Sequence, residues 1–259
     1  MERGGDERMR LTEEERELFV QACRRAEEGK KQHMGIGTLQ EKTIHAVLKH
    51  YIEPREQFHE IPCGNFVADI LVEGEITEIQ TANFHLLRKK LEQYLDTYEV
   101  TVVYPIPRQK WLYWLNPDTG EISKPRRSPK LGSVYDCFRE LYRIKPFLNH
   151  PKLHTRIVLM DVEEYRYLNG WSYDKKKGSV RADRLPLELR EDWIFATPRD
   201  YVDLIPMEMA DPFTSADFAK MAGIRRQTAQ SALNIFRHVG AVEVIGKKGR
   251  NLLYQKKQD

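Results

Sequence analysis

Cysteine is scarce in this chain. Cys23, Cys63 and Cys137 are the only three in 259 residues, and they lie far apart. An odd, dispersed set excludes a disulfide framework and a zinc knuckle. The eight histidines form no H-x-H or H-E-x-x-H pattern, and His150 and His154 bracket Pro151 instead of sharing one continuous helix. A zinc centre is therefore not indicated. No glycine-rich phosphate loop is present, because Gly35-Ile36-Gly37 lacks a preceding strand, so a P-loop ATPase is not expected. Long apolar runs are missing too: nothing approaches the ~20 residues of a transmembrane helix. The opening residues carry both charge signs and lack the apolar stretch of a signal peptide. These absences predict a soluble cytoplasmic protein.

Charge is plentiful but nearly balanced, with 42 Lys and Arg against 39 Asp and Glu. Its distribution is uneven. Residues 1–122 hold 16 basic and 22 acidic side chains, residues 123–190 hold 16 and 8, and residues 205–259 hold 9 and 5. An acidic front with basic middle and rear segments suits a polyanion-binding protein that carries its own carboxylate site.

Residues 11–30 read as an amphipathic helix with Thr12 as N-cap, Glu15 three residues on, and a stripe of Leu18, Phe19, Ala22 and Ala26. A second helix is expected over 39–52, stopping before Pro54. Strands follow at 58–62, 65–72 and 76–81, then a helix at 84–98 and strands at 100–106 and 110–115. Pro117-Asp118-Thr119-Gly120 marks a turn into a further strand starting at Glu121. Two short helices are expected in 134–149 and a strand at 155–162. Residues 166–190, with the run Asp174-Lys175-Lys176-Lys177-Gly178, read as an exposed basic loop or linker. This order predicts an α/β fold with a mixed sheet flanked by helices.

The segment 65–80 (NFVADILVEGEITEIQ) carries the most chemistry. A two-residue turn at Glu73-Gly74 pairs residues whose numbers sum to 147, so Asp69 stands opposite Glu78 with Gln80 on the same face. Opposed carboxylates about 4.5–5.5 Å apart at Cβ repel unless positive charge lies between them. A hard divalent cation is a natural occupant. The alternative is a solvent-facing strand pair, which Val67, Leu71 and Ile76 on that face oppose.

Asp69, a short hairpin and Glu78-Ile79-Gln80 resemble the signature of the PD-(D/E)XK nuclease superfamily, with Gln80 where a Lys is usual and Ala68 where a Pro often precedes the Asp. The resemblance covers roughly residues 39–116. It implies a restriction-endonuclease-like sheet and a Mg²⁺ (or Mn²⁺) site formed by Asp69, Glu78 and, from the first helix, Glu41. Glu41, Asp69, Glu78 and Gln80 are then the catalytic set. Arg88, Lys89 and Lys90 on the next helix are candidates to supply charge near the scissile phosphate in place of the missing Lys.

Residues 214–254 resemble a winged helix-turn-helix. Thr214 or Ser215 caps a helix over 216–222, Gly223-Ile224 turns, 226–239 forms the second helix, and 242–254 forms the wing. Such a helix would present Arg225, Arg226, Gln227 and Gln230 to base edges, with Lys247, Lys248 and Arg250 on phosphates. The expected plan is an N-terminal helical arm (1–38), a nuclease-like domain (39–165), a basic linker (166–195) and a small winged-helix domain (196–259). The expected function is metal-dependent hydrolysis of DNA. The alternative is a non-catalytic DNA-binding protein or regulator with a degenerate nuclease-like domain. Double-strand cutting would favour a homodimer.

Overall fold

The first amphipathic stripe folds as α1 (Glu13–Gln32). Its start is fixed by a reciprocal cap: the Glu15 N–H donates to Thr12 Oγ1 at 3.1 Å while Glu15 Oε2 accepts the Thr12 N–H at 2.7 Å. Phe19, Ala22 and Ala26 are buried along it. In α2 (Thr43–Ile52), Ile44, Val47, Leu48 and Tyr51 are buried. The structure, a computed structural model, describes residues 11–32, 43–116, 118–167 and 180–257.

Seven strands form a mixed sheet: β1 (His59–Cys63), β2 (Phe66–Val72), β3 (Glu75–Ile79), β4 (Glu99–Leu115), β5 (Arg126–Arg127), β6 (Leu153–Tyr167) and β7 (Val180–Phe195). The order is β1-β2-β3-β4-β6-β7, with β5 on the far part of β4. The first three strands are an antiparallel meander; β3, β4 and β6 run parallel, and β7 returns antiparallel. Between β3 and β4 the chain passes through a 3₁₀ turn at Phe84–Leu87 and α3 (Arg88–Tyr94). Between β5 and β6 it forms α4 (Phe138–Leu141), set between 3₁₀ turns at Val134–Cys137 and Tyr142–Phe147.

Alternation along each strand divides the core. Ile79, Val103, Val158, Met160 and Val162 face α1 and α2. Ile76, Val102, Ile157 and Leu159 belong to the other layer, with α3 and α4. That second cluster continues without a break into the C-terminal residues Phe213, Phe218 and Phe236. There β8 (Phe213–Thr214), α5 (Ser215–Met221), α6 (Arg226–His238), β9 (Val242–Lys248) and β10 (Asn251–Lys256) make a small unit whose sheet has the order β8-β10-β9. Thr214 is the cap of α5, in a capping box with Asp217.

Several expectations are corrected. Residues 1–38 are not simply an arm, because α1 is built into the core through Phe19. The strands at 100–106 and 110–115 are one strand, β4, with a register shift between Pro107 and Lys110. The strand at Glu121 reduces to a single bridge between Leu115 and Ile122. The helix at 84–98 ends at Tyr94. Within the linker expected at 166–195, the described residues 166–167 and 180–195 are instead the end of β6 and all of β7. β7 is an edge strand, which is where Pro186 is tolerated, and its Arg184 and Arg190 pair with Glu164 and Asp161 of β6. The Asp174–Gly178 run lies outside the described residues, as does the 39–42 part of the second helix.

Phe138 joins the sheet layer to the C-terminal helices, meeting Phe236 edge-on at 5.2 Å between ring centroids. Phe138→Ala should lower the unfolding free energy by about 3–5 kcal/mol, measured by urea denaturation.

Candidate functional site

Glu73 and Gly74 both adopt positive φ (49° and 89°), the backbone a tight two-residue hairpin turn needs. The register that follows is Ile70↔Thr77, Leu71↔Ile76 and Val72↔Glu75, as the sum of 147 requires. One pair further on stand Asp69 and Glu78. There the ladder ends, because the Ile79 N–H donates to Asp69 Oδ2 at 2.7 Å. The two strands part at the position that carries the carboxylates.

Each carboxylate has a basic partner from a different helix. His45 of α2 places Nε2 3.1 Å from Asp69 Oδ2. Lys90 of α3 donates from Nζ to Glu78 Oε2 at 2.8 Å, to Glu78 Oε1 at 3.0 Å and to the Val67 carbonyl at 2.8 Å. All three ammonium donors are thus engaged. Glu78 is only 2% exposed. One helical turn after Lys90, the Tyr94 hydroxyl is buried with no hydrogen-bond partner among the described residues; burial first, then Glu78, Cys63 and Asp69, push its pKa upward.

The two carboxylates diverge in acidity. Burial, then the neighbouring Asp69 charge, raise Glu78 to about 7 against the counteracting pull of Lys90. Burial also pushes Asp69 upward, but the His45 hydrogen bond and charge, the Ile79 N–H and Lys90 outweigh it and hold Asp69 below its ordinary range. A pair split in this way, one carboxylate ionised and the other near neutrality, is the arrangement acid–base and metal chemistry use.

Of the remaining sequence candidates, Gln80 turns away from the pair: its Nε2 donates to the Ala82 carbonyl. Glu41 lies outside the described residues. Arg88 donates from Nε to the Arg143 carbonyl at 2.7 Å, and Lys89 is exposed; of the three basic residues only Lys90 reaches the carboxylates. Among the described residues there is no group of three or more His, Cys, Asp or Glu that could hold a metal ion. Tyr94 was not anticipated, although its i+4 spacing from Lys90 on a helix is the signal that pairs them.

In the C-terminal unit, Arg225, Arg226, Gln227 and Gln230 are exposed on the first turns of α6, and Lys247, Lys248 and Arg250 are exposed on the β9–β10 hairpin. Arg226 is bonded to Asn251 Oδ1, which ties the helix start to the hairpin.

A family model described as "Domain of unknown function (DUF8091)" matches residues 42–196, the stretch that contains the sheet and both carboxylates. An uncharacterized protein of Treponema pallidum (strain Nichols) is 30% identical over 225 residues, covering 86% of this chain and 88% of the relative. No solved structure gives a significant match.

A folded-state pKa raised above the unfolded value gives stability that is present at low pH and lost as pH climbs toward the folded value. For Glu78 that window runs from about 4.5 to about 7. Glu78→Gln lacks this loss, so its melting temperature relative to the parent protein should rise between pH 5 and pH 8. A constant difference across that range would contradict the assignment.

Proposed function

The chain belongs to the family described as a domain of unknown function (DUF8091), and we propose from the site geometry that it is a metal-dependent DNA endonuclease. The observation that carries this reading is the Asp69–Glu78–Lys90 cluster at the point where β2 and β3 separate. The element order supports it: a helix, a three-stranded antiparallel meander, a helix, and a strand parallel to the third is what the PD-(D/E)XK resemblance implies. Lys90 also answers the missing Lys of that signature, since it brings an amine to Glu78 that Gln80 cannot supply.

The donor set suits a hard divalent ion. Magnesium is commonly held by one or two carboxylates together with water and substrate phosphate. Asp69 and Glu78 supply two, and burial together with the Asp69 charge raises Glu78 to about 7, a cost that a bound cation would offset. Glu41 is the third ligand implied by the resemblance. When bound, Mg²⁺ or Mn²⁺ would lower the pKa of its water and neutralise phosphate charge. His45 and the Ile79 N–H fix Asp69 Oδ2, which leaves that side chain one orientation. Lys90 shares Glu78 with any incoming cation, and an ammonium donor freed from Glu78 can turn to a phosphate oxygen.

The helix–turn–helix–hairpin order of the C-terminal unit supports the winged-helix resemblance and a role in holding DNA. The exposed bases on α6 and on the hairpin are the contacts proposed for base edges and phosphates.

A second reading has its own observation. Lys90 and His45 already neutralise the two carboxylates, as they would in a DNA-binding protein whose nuclease-like site is only structural. The two readings part on activity. With Mn²⁺, the nuclease reading expects plasmid cleavage that EDTA abolishes and that Asp69→Asn reduces at least about a hundredfold while the variant stays folded. Tight DNA binding with no cleavage under any metal would establish the second reading instead. In either case, Lys247→Ala/Lys248→Ala should make the salt dependence of duplex binding shallower by about 2 in log–log slope; an unchanged slope would remove the hairpin from the interface.

A further inference from the structure

Beyond the carboxylate pair, the loop that follows β3 opens into a cavity that the reading above does not use. It begins at Thr81, three residues after Glu78, runs past Tyr104–Pro107 of β4, and has a volume of about 460 Å³. That lies within the roughly 300–1,000 Å³ of an ordinary small-molecule cleft.

Its wall is strongly cationic. Lys110, Lys130, Arg139, Arg143, Arg181 and Arg184 line it against only two carboxylates, Asp136 and Glu140. Both acids are occupied. Asp136 Oδ2 accepts the Ser133 N–H at 3.2 Å in a capping box, and Glu140 Oε2 accepts the Phe84 N–H at 3.0 Å. Arg143 Nε, although 3.5 Å from Glu140 Oε2, is buried with no hydrogen-bond partner among the described residues.

Behind the wall a single buried carboxylate is outnumbered. Glu164 is fully buried and takes Arg184 Nε at 2.7 Å, Arg166 Nε at 2.6 Å and Lys110 Nζ at 3.9 Å. Arg181 stands beside this group, and burial together with Arg184 holds its pKa below the usual guanidinium value. Burial likewise lowers Lys110. Cations gathered in excess of the nearby carboxylates (Asp136, Glu140, Glu164 and Asp183) repel each other where water is partly excluded, and an anion entering the cavity relieves that repulsion. Guanidinium groups meet phosphate oxygens through paired donors, and a nucleic-acid strand presents its phosphates in series.

We infer that this cavity binds phosphate groups of a nucleic-acid strand next to the carboxylate pair, with Lys130, Arg139 and Arg181 as the accessible contacts and Glu164 holding Lys110 and Arg184 in place. The inference rests on the nucleic-acid reading only for the source of the phosphate; the cavity itself is independent of whether Asp69 and Glu78 cleave anything.

The test is equilibrium binding in EDTA, where cleavage plays no part. A fluorescently labelled 12-nucleotide single strand is titrated with the full-length protein across a salt series, and inorganic pyrophosphate serves as a second probe. Lys130→Gln/Arg139→Gln/Arg181→Gln removes three charges of the cavity and keeps Lys110, Arg166 and Arg184, the cations paired with Glu164. Its oligonucleotide affinity should fall at least tenfold, and its log–log salt slope should become shallower by about 2. Circular dichroism checks that the variant is folded. Unchanged affinity and slope would overturn the proposal. So would loss of pyrophosphate binding with oligonucleotide binding intact, which would assign the cavity to a small phosphate compound. The titration is run without metal and reads binding alone, so failure of the nuclease reading leaves this result readable.

Discussion

A carboxylate removed from water must either find a partner or give up its charge, and Glu78 does some of each. Only 2% of it reaches solvent, both its oxygens bond to the Lys90 ammonium, and its pKa still rises to about 7. Burying an ion pair costs desolvation that attraction between the partners repays only when geometry and further hydrogen bonds are good. The Val67 carbonyl supplies that extra bond to Lys90. The hairpin, α2 and α3 converge on this point: α3 carries the lysine, α2 carries His45, and the hairpin ladder gives up a pair so that Asp69 can take the Ile79 N–H. An apolar pair would pack at lower cost. The retained charge is what makes the spot a site.

The legible part of the sequence was the part governed by local rules. A turn with two positive-φ residues fixed the hairpin register, and the register set Asp69 beside Glu78. The cap at Thr12 and the stripe through Phe19 gave α1. The C-terminal helices and hairpin followed from Thr214, Gly223 and Gly240, each at a break in periodicity.

What escaped was set by contacts distant in sequence. β7 looks like a linker because its strand carries Arg181, Arg184, Arg190 and Pro186; the carboxylates of Glu164 and Asp161 on the neighbouring strand are what place Arg184 and Arg190 in a sheet. Lys90 was one of three adjacent basic residues, and the packing of α3, not its composition, selects it. Gln80 fitted the alternation pattern, yet the strand ends at Ile79 and its amide turns to Ala82. The same long-range logic assembles the basic cavity from β4, α4, β7 and two loops, none of which looks like a binding motif alone.

Calorimetric titration of Mn²⁺ into the metal-free protein at pH 6 and pH 8 bears most directly on the carboxylate pair. If Asp69 and Glu78 form a cation site, one ion binds, affinity rises with pH as Glu78 loses its proton, and binding disappears in Asp69→Asn. Absence of heat at both pH values, or identical binding in Asp69→Asn, would mean that Lys90 and His45 are the only cations this pair ever holds.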